Sequence, residues 1–270
     1  MNRILIAGAG RMGSWLALML RDGHEVSVYD PWVEHGDLPS DVKYFSTVDE
    51  IGNFKPEMLL NCVSIGATIS AFDELIGLLP DYCMLADIAS VKGSLAEYYQ
   101  SAGRRFVSIH PMFGPTFARF DNLKGLNTII IAESDEAGQK FFANLLEPTG
   151  VNLSYASFAE HDKLMASVLA VPAISTLLFA SGTNAFLTGG TSFARHKAIA
   201  EGFLGEEPQL VASIIAGTYS GGKIAVMAEL LNKLNEMVET NDTDGIMILF
   251  RSIAGKFFKP DGLPSPPGPQ

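Results

Sequence analysis

The string GAGRMG at residues 8–13 constrains the fold of this chain more than any other feature of its sequence. An apolar run at residues 4–7 precedes it, and a helical pattern begins at Met12. A glycine turn between a buried strand and a helix is typical of the first unit of a dinucleotide-binding sheet, because the backbone can approach a pyrophosphate there and the helix N-terminus favours anions. The residues expected to contact such a cofactor are Gly8, Gly10, Arg11, Met12 and Gly13.

The rest of the first half continues this pattern of alternating segments. Short runs rich in Val, Ile and Leu predict strands, and amphipathic segments between them predict helices. The strands fall at residues 4–7, 25–29, 58–63, 84–88, 106–109 and 128–131, and the helices at 12–21, 68–79, 93–100 and 136–146. Alternation of this kind predicts a Rossmann-type, doubly wound parallel sheet that helices cover on both faces.

After about residue 155 the pattern becomes helical throughout. Helices are predicted at residues 158–186, 193–204, 208–216, 222–239 and 242–256. The segment 259–270 has five prolines, which favours a disordered tail. The expected organisation is a dinucleotide-binding domain at 1–156, an all-α domain at 157–258, and the tail.

Charge and composition exclude several function classes. A net charge of −11 disfavours binding to nucleic acid or to anionic lipid. We expect no leader peptide, because residues 4–8 are typical of a strand, and no membrane helix, because the longest apolar run, residues 165–179, is short and contains Pro172. Cys62 and Cys83 lie in apolar runs without the spacing of a metal site. We therefore expect a soluble cytoplasmic protein that holds no metal.

An acidic residue ends the second predicted strand. Asp30 lies 17 positions after Gly13, where a carboxylate accepts hydrogen bonds from the ribose of NAD and repels the 2′-phosphate of NADP. The alternative interpretation is that Asp30 only closes a turn before Pro31. We expect Asp30 to select NAD, and Ser64, after the next long strand, to contact the same cofactor.

Two further strings follow strands at the expected carboxyl edge of the sheet, where such folds bind ligands. They are DIASVKG at residues 87–93 and HPMFGP at residues 110–115. His110 opens a loop that proline and glycine restrict, and histidine is the side chain best suited to accept a proton near neutral pH. A third string, EHD at residues 160–162, opens a helix, and its acids are interpreted as capping residues.

The combination of these motifs with GAGRMG resembles the prephenate dehydrogenase family, and the resemblance extends weakly to about residue 215. It implies that His110 handles the proton of the substrate ring hydroxyl and that Ser90 hydrogen-bonds in the same region. The implied reaction is NAD-dependent oxidative decarboxylation of prephenate to 4-hydroxyphenylpyruvate, in tyrosine biosynthesis. The family's habit of pairing through its helical domain implies that residues 157–258 form a substrate and dimerisation domain and that the protein is a homodimer.

The sequence departs from the family pattern at two substrate-binding positions. Ala173 and Gly202 stand where many members carry a histidine and an arginine. A dianionic substrate needs a paired cation, although the nearby cations are equally compatible with a solvated surface. The candidate substrate contacts are Lys92, Thr116, Arg119, Arg195, His196 and Lys197.

Other functions stay open at this point. The substrate is prephenate, its aminated relative arogenate, or another small hydroxy acid. Ala173 and Gly202 are also what a non-catalytic NAD-binding sensor would show, whereas the presence of Ser90 and His110 favours an enzyme.

Overall fold

The computed structural model describes residues 1–32, 38, 41–114, 123–184 and 186–258. Eight strands form one sheet in the order β3-β2-β1-β4-β5-β6-β7-β8. Their bounds are β1 Arg3–Ala7, β2 Glu25–Tyr29, β3 Lys43–Phe45, β4 Met58–Asn61, β5 Met84–Asp87, β6 Phe106–Pro111, β7 Asn127–Ile131 and β8 Asn152–Ala156. Neighbouring strands from β3 to β6 are parallel.

The far edge of the sheet differs from the expectation of a wholly parallel arrangement. β7 runs antiparallel to β6, and β8 is parallel to β7. An antiparallel strand at the edge of an otherwise parallel sheet is common in folds of this class. The Rossmann-type sheet with a helical C-terminal part is confirmed.

Helices cover both faces of the sheet because alternate strand residues point to opposite sides. In β1, Ile4 and Ile6 pack on the side of α1 and α5, whereas Leu5 and Ala7 pack on the side of α2, α3 and α4. The bounds of these helices are α1 Arg11–Leu20, α2 Asp49–Phe54, α3 Thr68–Ile76, α4 Leu95–Ala102 and α5 Glu136–Leu146. With both faces covered, ligands have access at the strand ends.

The C-terminal part is helical in the described residues after Ala156. Its helices are α6 Phe158–Met165, α7 Val171–Ser181, α8 Thr191–Leu204, α9 Pro208–Ile215, α10 Ser220–Glu239 and α11 Thr243–Ala254. By density of contacts, Met1–Ser220 form one compact unit and Gly221–Gln270 another. The division at residue 156 therefore stays a prediction, and the expected tail at 259–270 lies outside the described residues.

A π-helical turn, Ala166–Ala170, joins α6 to α7, so Phe158–Ser181 is one helical segment of 24 residues. Pro172, which this run contains, does not break the helical segment. Pro172 lies in the first turn after the π-helical residues, where its missing N–H is tolerated. The segment is long and apolar enough to cross a membrane, with a mean hydropathy of 2.0 in its most apolar window. A core helix of a globular protein meets the same criterion.

Candidate functional site

The glycine loop after β1 has the geometry of a phosphate-binding turn. Gly8 has a φ of +103°, and a Cβ there would lie 3.0 Å from the backbone of Cys62. A Cβ at Gly13 would lie 1.9 Å from the carbonyl oxygen of Gly8, so no larger residue fits. At Gly10 a Cβ would meet only open space. The first turn of α1, which includes half-buried Met12 and exposed Arg11, has no side-chain cap on its N–H groups.

A cleft of about 440 Å³ extends from this loop over the point where the strand order reverses. β1 pairs with β2 on one side and with β4 on the other, which is where open α/β sheets bind ligands. Among its lining residues are Gly8, Gly10, Asp30, Trp32, Ser64 and Glu74. The bare glycine turn, the uncapped helix and the adjoining cleft together fit a dinucleotide.

Asp30 both closes a turn and lines the cleft. Its Oδ2 accepts a hydrogen bond from the backbone N–H of Ala9 at 2.8 Å, and its Oδ1 accepts one from Trp32 at 2.9 Å. The two interpretations of Asp30 are thus compatible, since each carboxylate oxygen has a second lone pair. The carboxylate also links the end of β2 to the glycine loop. Its selection of NAD stays a prediction.

Ser90 and His110 lie along the same carboxyl edge of the sheet. His110 is the penultimate residue of β6, and its side chain is 3% exposed. Ser90 is half-buried on the loop that follows β5. β6 is three strands from β1, a distance of roughly 14 Å at the usual spacing of about 4.8 Å. The glycine loop and His110 therefore lie on the same edge of the sheet, with β4 and β5 between them.

A hydrogen-bond chain leads from His110 into the first helix after the sheet. The Nδ1 atom of His110 lies 3.0 Å from Nε2 of His161, and Nδ1 of His161 lies 2.9 Å from Oδ1 of Asp162. Asp162 also accepts hydrogen bonds from the backbone N–H groups of Lys92 at 3.1 Å and Gly93 at 2.9 Å. Asp162 therefore holds the Ser90 loop and the histidine pair together.

Lys92 is not at an open substrate surface, and the sequence expectation for this residue needs correction. Its side chain is fully buried, and its Nζ donates to Oδ1 of Asp87 at 2.8 Å and to the carbonyl oxygen of Ile109 at 2.7 Å. The other carboxylate oxygen of Asp87 accepts from Tyr99 at 2.7 Å. This buried network joins β5 to β6 directly before His110.

Burial and neighbouring charges set the protonation of the site. Burial, then the charge of Lys92 and the neighbouring His161, lower the pKa of His110 well below 6.5, so its imidazole is neutral. Burial opposes ionisation of Asp162, but the hydrogen bonds from His161, Lys92 and Gly93 outweigh it and lower the pKa of that carboxyl. A neutral imidazole thus lies at one end of the chain and a carboxylate at the other.

The other candidate substrate contacts are on α8 or outside the described residues. Thr116 and Arg119 are outside the described residues. Arg195 and His196 are exposed on α8, where His196 packs on Phe179 with ring centroids 5.4 Å apart. Lys197, on the same helix, lies 3.8 Å from Glu201. Their role in binding stays a prediction.

The two positions that depart from the family pattern differ in their surroundings. Ala173 is 3% exposed in α7, and Gly202 is exposed in α8. A Cβ at Gly202 would meet nothing within 4 Å, so packing does not require glycine there.

His161 and Asp162 contact His110 and the loop after β5, and neither was among the predicted site residues. The capping interpretation of the EHD string is correct for Glu160 alone, which forms a capping box with Ser157. The missed signal is helical phase, because residue 161 falls on the buried face of α6 with Phe158 and Met165. Among the described residues no group of three or more metal-ligating side chains is present.

Comparisons with known proteins agree with this geometry. The sequence model described as "Prephenate dehydrogenase, nucleotide-binding domain" matches residues 17–153. A curated relative, arogenate dehydrogenase 1 (chloroplastic) of Arabidopsis thaliana, is 29% identical over 173 residues, which are 59% of this chain. The matched region is 27% of that relative's length.

Solved structures share the fold over nearly the whole chain. Prephenate dehydrogenase from Aquifex aeolicus, in complex with hydroxyphenyl propionate and NAD+, has a TM-score of 0.76 and 20% identity, with 95% of this chain and 97% of that one covered. Synechocystis arogenate dehydrogenase has a TM-score of 0.70 and 17% identity, with coverage of 94% and 98%. Since the sequence match spans just over half of the residues, the chain belongs to the prephenate dehydrogenase family of NAD-dependent oxidoreductases.

Proposed function

We propose that this chain catalyses the NAD-dependent oxidative decarboxylation of prephenate to 4-hydroxyphenylpyruvate, in the cytoplasm, as a step of tyrosine biosynthesis. The observation that carries the proposal is the neutral, buried imidazole of His110 at the carboxyl edge of the sheet, on the same edge as the dinucleotide cleft. Family membership and the shared fold of the Aquifex enzyme support it.

Bound NAD+ supplies the hydride acceptor for this chemistry. His110 accepts the proton of the substrate hydroxyl as the ring carbon that bears this hydroxyl becomes a carbonyl. Departure of CO2 then returns an electron pair to the ring, the ring becomes aromatic, and its oxygen regains the proton from His110. Ser90, on the loop that Asp162 fixes, is proposed to hydrogen-bond the same hydroxyl.

The acidic chain needs local cations for an anionic substrate. We infer that one of Arg119, Arg195, His196 or Lys197 pairs with a substrate carboxylate, because a closed site cannot desolvate that charge alone. Alanine at the true partner should raise KM far more than it lowers kcat. If all four single variants behave like the wild type, the substrate is not bound in this way.

Arogenate is the second candidate substrate. The relative from Arabidopsis is an arogenate dehydrogenase. The amino group of arogenate offsets one of its two carboxylates, so it requires one cation fewer than prephenate. This matches a site with glycine at position 202.

One experiment tests both candidates. NADH formation is measured with prephenate, arogenate and simple 2- and 3-hydroxy acids at equal concentrations. We expect turnover with one cyclohexadienyl substrate and little with the simple acids. Binding of NAD+ without turnover of any substrate would contradict the proposed function and favour a sensor.

We also propose that the active form is a homodimer that pairs through the second compact unit. In α11 no residue is buried, and Met247, Ile248 and Phe250 are 49%, 66% and 71% exposed. Residues 221–258 carry four cationic and five acidic side chains, so two copies of this unit would hardly repel each other despite the net charge of −11. A second copy of the chain is the partner that would cover these apolar side chains.

A further inference from the structure

We propose that Asp162 and His161 position His110 by fixing its tautomer, so that Nε2 of His110 carries a lone pair and no hydrogen. The tautomer is inferred from the hydrogen-bond distances alone. The role of the Nε2 lone pair as proton acceptor rests on the proposed function. Both positioning residues come from α6, the first helix after the sheet, and the group that they orient comes from β6.

At the Asp162 end of the hydrogen-bond chain, only one direction of donation is possible. A carboxylate accepts hydrogen bonds and donates none. Oδ1 and Oδ2 of Asp162 already accept from the backbone N–H groups of Lys92 and Gly93, which favours its ionised form. The 2.9 Å contact with His161 therefore requires a hydrogen on Nδ1 of His161.

That hydrogen determines the next contact. We take the fully buried His161 to be neutral, so it carries hydrogen on Nδ1 only and its Nε2 is an acceptor. Nδ1 of His110 lies 3.0 Å away and must be the donor. In a neutral His110 this leaves Nε2 bare, which is the form that a proton acceptor requires.

Burial and packing hold the imidazole rings of His110 and His161 in this arrangement. His161 is fully buried, His110 is 3% exposed, and their ring planes meet at 64° with centroids 5.2 Å apart. The charged groups around the pair are Lys92, Asp87 and Asp162. Lys92 disfavours a positive charge on His110, whereas Asp162 stabilises that charge through the intervening ring when His110 accepts a proton.

The direct test is the tautomeric state of His110 in the wild-type protein. Imidazole ¹⁵N chemical shifts at pH 7.5 in protein labelled at its five histidines separate protonated from bare ring nitrogens. His110 and His161 should each show a protonated Nδ1 and a bare Nε2. A protonated Nε2 in wild-type His110 would overturn the proposal whatever the activity is.

The second test separates positioning from structural support. His161→Phe keeps an aromatic ring but removes the acceptor, and kcat should fall by about a hundredfold, as expected when general base catalysis is lost. The affinity for NAD+ should stay near that of the wild type. In His161→Gln the amide oxygen reaches roughly the position of Nε2, so this variant should recover at least tenfold of the loss.

His24→Phe is the matched control, because Nδ1 of His24 also has one close partner, the carbonyl oxygen of Met1 at 2.7 Å, far from the site. Its kcat should not change. An unchanged kcat in a folded His161→Phe variant would show that the tautomer is not controlled from position 161. If the ¹⁵N chemical shifts are as predicted but the protein has no dehydrogenase activity, only the proposed function is contradicted.

Discussion

At the scale of single residues, the site depends on groups whose protonation the surrounding chain controls. His110 is held neutral by burial and by Lys92, and Asp162 is held ionised by three donors. Both pKa values are lowered, which leaves the imidazole neutral and the carboxyl ionised within one hydrogen-bond chain. A base and a carboxylate with pKa values moved in this way are typical of catalytic sites.

The first prediction concerns His110→Asn. Asparagine keeps hydrogen-bonding capacity but cannot accept a full proton near neutrality, so kcat should fall by about a hundredfold or more. In the wild type, kcat should be flat near pH 7.5 and fall only below pH 6.5, because the pKa of His110 is lowered and protonation removes the acceptor. Steady-state kinetics from pH 5 to pH 9 check both statements.

NAD+ affinity is the internal control for this variant. The cofactor contacts lie at the glycine loop and Asp30, so binding of NAD+ measured by titration should change little. Retained turnover with the same pH profile would contradict the catalytic assignment, and a large loss of NAD+ binding would show that His110 is structural.

The second prediction concerns cofactor choice. The wild type should prefer NAD+ to NADP+, because Asp30 lines the cleft and repels a 2′-phosphate. Asp30→Asn with Pro31→Arg should move the ratio of kcat/KM values toward NADP+ by at least tenfold. Asparagine is a better choice than alanine, since its oxygen can still accept from Ala9 and keep the glycine loop in place. A wild type that already prefers NADP+ would rule out the assigned role of Asp30.

The sequence predicted the geometry of the glycine loop better than it predicted the hydrogen-bond partners of His110. Gly8, Gly13 and Asp30 could be predicted because their spacing reflects a local turn. The pairing of His161 with His110 joins positions 51 residues apart, and no local pattern encodes it. Lys92 was assigned to substrate binding because the sequence does not show that its side chain pairs with Asp87 of the same string.

At the scale of elements, the sequence predicted the strands that helices and neighbouring strands bury. It did not predict the strands that are partly exposed. β1, β4 and β5 read as apolar runs because both faces are covered. β3 has three residues, and β8 alternates weakly with mostly exposed positions, so neither gives a clear period. The π-helical turn before Pro172 was equally unpredictable, since it depends on register within a helix.

The third prediction tests the buried tie between β5 and β6. Lys92→Met leaves the carboxylate of Asp87 buried without its cation, which should lower the free energy of unfolding by about 3–5 kcal/mol. Lys92→Met with Asp87→Asn should recover most of that loss, because the amide can still accept from Tyr99. Urea denaturation of the three proteins gives the comparison. Equal stability of the single variant and the wild type would show that the ion pair does not stabilise this edge of the sheet.

At the scale of the whole molecule, the distribution of apolar surface is uneven. The sheet buries its hydrophobic residues on both faces, whereas the second compact unit exposes large apolar side chains on α10 and α11. Val226 and Val238 of α10 are each 65% exposed, in addition to Ile248 and Phe250 of α11. Large exposed apolar side chains are costly in water unless a partner covers them.

The fourth prediction follows from this distribution. The wild type should elute in size-exclusion chromatography with light scattering at twice the 29.0 kDa mass of the chain. Phe250→Asp places a charge in the proposed interface and should shift the protein toward the monomer, since an unpaired buried charge costs several kcal/mol. Tyr155→Asp is the matched control, because Tyr155 is 54% exposed on β8 of the first unit, and this variant should remain dimeric. A wild-type monomer at micromolar concentration, or a Phe250→Asp variant as dimeric as the control, would exclude pairing through this unit.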